Sequence, residues 1–205
     1  MIFSEQELIC FNSILDGKNI IGIEFSNEKI KDESKYIEQT IEKLKRKNII
    51  DKAGKLTKIG VLPILALEEY KKAKEHIRIN TLNIGVLEDN NFIVIDTMKD
   101  DYNIYMSSKI EIIKEILKKS DFIRAESSNE CEFQKESVPF SKLISDDFDK
   151  KSILISKYRN GRKIYEKIYY WNEKEGFEYD LKKEIRIQLS PRKMRTSLLK
   201  DMDMF

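Results

Sequence analysis

The sequence predicts an α+β fold: an N-terminal winged-helix-like region followed by two pseudo-repeated antiparallel β-β-β-α units. Three observations carry this reading. Apolar residues recur at helical spacing through the first 76 residues. Beyond them, alternating or continuous apolar runs are separated by short turn signals, which forces neighbouring strands to be antiparallel. The order strand, strand, strand, helix then occurs twice, over residues 77–123 and 140–205, with 124–139 between them.

The first helix is announced by Ser4-Glu5-Gln6-Glu7, a hydroxyl with a carboxylate three residues on. Leu8, Phe11, Ile14 and Leu15 follow at helical spacing, and Gly17 stops the helix. A short helical stretch is expected at Asn27–Lys31. A longer helix carries Ile37, Ile41 and Leu44 on one face and ends at Asn48. Ile49-Ile50, a turn through Gly54 and Leu56 then suggest a small hairpin, and Thr57 caps a helix reaching about Glu75. This is the order of a winged helix. Such folds often read DNA with their third helix, but here that helix carries Asp32, Glu33, Glu38 and Glu42, which phosphates repel. The basic cluster Lys43, Lys45, Arg46 and Lys47 lies where cations complement the helix dipole, so a solvated helix end accounts for it.

The first repeat runs Arg78–Glu88, Phe92–Met98 and Tyr102–Ser107, with turns at Asn90-Asn91 and Asp100-Asp101. Its helix presents Ile110, Ile113, Ile116 and Leu117 to the core. Residues 124–138 are polar and lack a period, and read as a linker or as a mobile loop that orders on a partner. A short helix at Phe140–Asp149 follows. The second repeat runs Ser152–Arg159, a tight turn at Asn160-Gly161, Lys163–Asn172, and Phe177–Leu189 with a break near Lys183. Its helix starts at Ser190-Pro191 and docks through Met194, Leu198 and Met202. The strand around Tyr169 is apolar on both faces. It is either buried on both sides or exposes one face as an aromatic binding platform.

Lys+Arg 38 against Asp+Glu 36 leaves the chain nearly neutral, which argues against nucleic acid or an acidic membrane as partner. No signal peptide and no run long enough for a membrane helix is visible, which suggests a cytoplasmic protein. Cys10 and Cys131 form no CxxC, and Cys10 sits in an apolar helical pattern as a small core residue. His76 is the single histidine, without metal-ligand spacing around it. No glycine-rich phosphate loop, HExxH or GxSxG is present, so no catalytic residue, metal site or cofactor is expected.

The stretches Ser4–Leu8, Leu44–Thr57 and Leu67–Asn80, with the two repeats, resemble the EspG-type chaperones of type VII secretion. The chain is closer still to Gram-positive relatives of this length. The resemblance implies a non-enzymatic cytoplasmic chaperone or adaptor that keeps a helical-hairpin substrate of the WXG, LXG or PPE kind soluble until export. An apolar hairpin tip needs a cover, and aromatic anchors suit one. Residue type and place make Phe92, Tyr169, Trp171 and Phe177 the candidate partner contacts. The alternative is a winged-helix DNA-binding transcriptional regulator.

Overall fold

The computed structural model describes residues 1–26, 33–88, 91–99, 101–120, 134–143, 152–172 and 175–202. It is an α+β structure whose strand pairings are antiparallel. The chain forms two compact units: Met1–Ala73 with Thr81–Ser107, and Lys74–Asn80 with Ser108–Phe205.

The first unit holds helices α1 (Glu5–Leu15), α2 (Glu33–Arg46) and α3 (Lys58–Lys72). Its strands β1 (Ile2–Ser4), β3 (Leu82–Val86), β4 (Asn91–Met98) and β5 (Asp101–Ser108) lie in the order β1-β5-β4-β3. The expected start of α1 is present: Glu7 accepts the Ser4 backbone N–H at 2.7 Å. Gly17, at φ +65°, donates to the Asn12 carbonyl just beyond the helix end. Cys10 packs against the core as expected, and burial pushes its thiol pKa up. Asn48 ends α2 in the left-handed region at φ 57°. Asn48 and Ile49 donate to the carbonyls of Lys45 and Leu44, each at 2.9 Å, which closes a Schellman motif.

One expectation is corrected here. On α2 the buried positions are Thr40 and Leu44, whereas Ile37 and Ile41 stand 55% and 37% exposed. The small hairpin after α2 is present, with an antiparallel bridge from Ile50 to Leu56 and Asp51 donating its N–H to the Lys55 carbonyl at 2.8 Å. What holds this corner is α3. Thr57 accepts from the Gly60 N–H at 3.0 Å and donates its own backbone N–H to the Ile49 carbonyl at 2.9 Å. Gly60 therefore lies directly on Ile49: a Cβ added at Gly60 would stand 2.0 Å from that carbonyl oxygen. The Asn27–Lys31 stretch lies outside the described residues, as do Asn90 and Asp100 of the two expected turns.

The second unit contains β2 (Glu75–Ile79), α4 (Lys109–Lys119), β6 (Lys135–Ser137), α5 (Phe140–Leu143), β7 (Ser152–Arg159), β8 (Arg162–Asn172), β9 (Glu175–Asp180), β10 (Ile185–Leu189) and α6 (Pro191–Asp201). Its strand order is β2-β7-β8-β9-β10-β6. Asn160 and Gly161 have φ 49° and 75°, the double positive φ that a two-residue hairpin with this twist requires. Pro191 opens α6 and Ser190 caps it, accepting from the Lys193 N–H. His76, in β2, is 1% exposed.

The repeated pattern has more strands than the sequence suggested. Asn80, at φ 50°, breaks the expected strand Arg78–Glu88 into β2 and β3. The expected break near Lys183 is present as residues 181–184, which separate β9 from β10. Each run thus has four strands before its helix. The expected 124–139 connection ends in a strand, β6, paired with β10, and its residues 124–133 lie outside the described set. Of the Phe140–Asp149 helix, Phe140–Leu143 is described.

Gly60→Ala should destabilise the first unit by about 2–3 kcal/mol, because the new methyl meets backbone rather than a movable side chain. Urea unfolding followed by circular dichroism measures this. A stability equal to wild type would mean that α3 does not rest on Ile49.

Candidate functional site: a groove between α4 and α6

The central strand β8 decides where α6 sits. Its side chains alternate, and the two faces meet different neighbours. On one face Tyr170 stacks on Phe177 of β9, with ring centroids 5.2 Å apart, and joins Leu143 and Tyr179 in a buried cluster. The other face carries Tyr165, Lys167 and Tyr169. Glu178 lies opposite Tyr169 on β9, and Ser197 and Asp201 reach down from α6 at i, i+4 spacing.

This face is a closed polar network. Lys167 Nζ is 3.0 Å from Glu178 Oε1 and 2.8 Å from Asp201 Oδ2. The Tyr169 hydroxyl is 2.6 Å from Asp201 Oδ2 and 3.1 Å from Glu178 Oε2. Ser197 Oγ donates to Glu178 Oε2 at 2.6 Å. Each hydroxyl has one proton. The two short contacts assign them, Tyr169 to Asp201 and Ser197 to Glu178, so each carboxylate receives one hydroxyl and shares the ammonium. Tyr165 donates to the Asp201 backbone carbonyl. Burial first, then the charges of Glu178 and Asp201, raise the Tyr169 phenol well above its ordinary pKa. Burial, then Asp201 and Glu178, do the same for Tyr165. Burial alone would lower the Lys167 pKa, but Asp201 and Glu178 outweigh it and hold it above the ordinary value. The network is saturated internally and anchors α6 to the sheet.

With α6 so fixed, it and α4 enclose an apolar void of about 100 Å³, open on one side. Ile113, Ile116 and Leu117 line it from α4, and Arg195, Leu198, Leu199 and Met202 from α6. The void is smaller than the ~150 Å³ apolar cavity known to take a benzene ring. It has room for an inserted aliphatic side chain. The α4 stripe of Ile110, Ile113, Ile116 and Leu117 does not face the core as one. Ile112 and Ile116 are buried at 3% and 4%, while Ile110 is 64% exposed. The helix reads Lys-Ile-Glu-Ile-Ile-Lys-Glu-Ile-Leu-Lys-Lys and has two apolar rows. One serves the core, and Ile110, Ile113 and Leu117 form the other.

The expected partner contacts lie elsewhere. Phe92 belongs to the first unit and is 5% exposed in β4, flanked by buried Ile93, Val94 and Ile95. Tyr169 is fully buried in the network above, and Phe177 is 8% exposed in the Tyr170 cluster on the opposite face of the sheet. Trp171 is half-buried beside Gly176, its partner on β9. Burial on both faces of the sheet makes Tyr169 of β8 and Phe177 of β9 core residues, and Phe92 of β4 is one too. The groove residues were missed, although the second apolar row of α4 was a signal for them.

Among the described residues no group of three His, Cys, Asp or Glu is placed to hold a metal ion, and no helix is long and apolar enough to cross a membrane. A family model described as "Domain of unknown function (DUF5081)" matches residues 1–204 of the chain. No curated protein matches it.

Tyr169→Phe should destabilise the protein by about 1–2 kcal/mol, since Asp201 loses its hydroxyl partner. The raised pKa values of Tyr165, Tyr169 and Lys167 mean that the fold favours their protonated forms. Their stabilising effect is therefore complete below pH ~10 and declines as pH rises through the folded values. Urea midpoints from pH 8 to 11 should fall, and fall less steeply in Tyr169→Phe. Parallel curves for the two proteins would remove Tyr169 from the linkage.

Proposed function

We propose that this chain, which belongs to the DUF5081 family, is a non-enzymatic cytoplasmic chaperone or adaptor. It binds a helical-hairpin substrate of type VII secretion, of the WXG, LXG or PPE kind, and covers the substrate's apolar tip until export. The observation that carries the reading is the groove between α4 and α6. Its walls are aliphatic, it opens outward, and its anchoring network leaves it pre-formed. Binding to a pre-formed site avoids the entropy of ordering one.

The finer fold assignment belongs to the same proposal. We read α1–α3 with the Ile50–Leu56 bridge as the winged-helix-like region, and the two strand runs with α4 and α6 as the paired units of an EspG-like protein. The partner surface is placed on Ile113, Leu117 and Leu199 in preference to the buried aromatics. The contacts of the basic cluster on α2 also favour protein over DNA. Lys43 donates to Gln6 at 3.0 Å, Lys45 pairs with Glu42 at 3.0 Å, and Lys47 pairs with Glu7 at 2.6 Å. These cations are held by the protein's own groups.

Affinity capture of the tagged chain from its native host, with mass spectrometry, tests the proposal. Wild type should recover a small helical-hairpin secretion substrate. Leu117→Glu, which puts a charge into the apolar wall, should reduce recovery about tenfold or more while the melting curve stays cooperative. Salt-sensitive duplex DNA binding with no secretion substrate recovered would favour the regulator instead.

A further inference from the structure

The groove has a charge as well as a shape. Beside the open row Ile113–Leu117 of α4 runs a second row one residue on, Lys114 and Lys118, both exposed. On α6, Arg192 and Lys200 are exposed on either side of Leu199 in sequence, and Arg195 lines the groove itself. The acidic residues of these two helices are committed elsewhere. Glu111 accepts the Ser108 backbone N–H at 2.9 Å, Glu115 pairs with Lys119 at 3.3 Å, and Asp201 pairs with Lys167 at 2.8 Å. The apolar slot is thus framed by cations, in a chain whose net charge is only +2. The frame is a local feature and does not follow from the composition.

From this juxtaposition we infer that the groove takes an acidic amphipathic helix. One row of that helix supplies aliphatic side chains at i, i+3 and i+7, and the flanking rows carry Asp and Glu. The inference deepens the proposed function and rests on it, naming the chemistry of the segment that binds. An isolated apolar row would accept any amphipathic helix. A cationic frame discriminates, because like charges across an interface oppose docking and opposite charges steer it. An anionic membrane surface shares the charge preference. However, the apolar residues here line a concavity that receives a side chain, whereas lipid binding calls for a protruding apolar face.

The test uses three labelled synthetic helices of about 18 residues, some five turns. One is acidic and amphipathic, one replaces its acids by Lys, and one scrambles the acidic sequence. Fluorescence anisotropy is measured against the full chain, Leu117→Glu, and the double variant Lys114→Glu/Lys118→Glu, whose changes are at exposed positions. The acidic amphipathic helix should bind tightest and weaken with added salt. It should lose about tenfold in the double variant, with the Lys helix gaining, and bind negligibly to Leu117→Glu. Equal binding of the acidic and Lys helices, or of the scramble, overturns the inference. So does binding of the chain to anionic phospholipid vesicles in place of the peptides, or a self-associated state by sedimentation that Leu117→Glu dissolves. The two ideas separate in native capture. If the hairpin partner is lost with Leu117→Glu and kept at wild-type level with the charge reversal, only the charge inference falls. If Leu117→Glu retains the partner, the assignment of function to this groove falls.

Discussion

A buried and a half-buried carboxylate beside one ammonium are the constraint on which the second unit depends. Glu178 and Asp201 both face Lys167, so charge alone leaves one negative charge uncompensated. Burying it is costly unless donors are supplied at fixed positions. Tyr169 and Ser197 supply them, one proton to each carboxylate. This demand is geometric. Asp201 ends α6, where a carboxylate opposes the helix dipole, and it is tolerable there because Lys167 and Tyr169 meet it. Hydrophobic docking through Met194 and Leu198 fixes how deeply the helix sits. The network fixes its rotation and register, and with them which side chains of α6 turn toward α4.

Much of the fold was legible because the responsible signals are local. Ser4 and Glu7, Asn48, Thr57, Asn160-Gly161 and Ser190-Pro191 each act on backbone within a few residues, and each does in the structure what its residue type demands. Phe92–Ile95 and the β8 strand were readable for a related reason: a strand apolar on both faces has two layers to fill. The errors came where a choice was left to tertiary packing. Ile37 and Ile41 fit a core stripe, yet Thr40 and Leu44 won that position. The run Arg78–Glu88 has no Gly or Pro at the break that Asn80 makes at positive φ, and its one glycine, Gly85, lies inside β3.

The candidate site was less legible for the same reason. Aromatic side chains are favoured at interfaces and also in cores, and Tyr169 and Phe177 went to the core. Helix α4 carries isoleucines over nearly half its circumference, wider than one core-facing stripe, so its composition does not say which row is spent on packing. Only with Ile112 and Ile116 assigned to the interior do Ile110, Ile113 and Leu117 become a surface. The first unit shows a comparable surplus: on α3, Ile59, Leu62 and Leu65 stand 43%, 64% and 48% exposed, while Ile64 and Leu67 fill the core. In both helices the apolar content exceeds what one face can bury.

The pairing of β2 has a consequence in time. Glu75–Ile79 enters the chain early, but its partner β7 begins at Ser152, and the helix that locks the same sheet is fastened at Asp201. Non-local pairings of this kind form slowly, since a long intervening loop must close first. During synthesis the edge of β2 that β7 will cover stays open for most of the remaining chain. The strands β3 to β5 follow directly, and with α1 to α3 they complete the first unit while β2 is still without β7. The ribosome thus delivers the two units in sequence, and the groove, which needs α6 held by its last residue, is the final feature to exist.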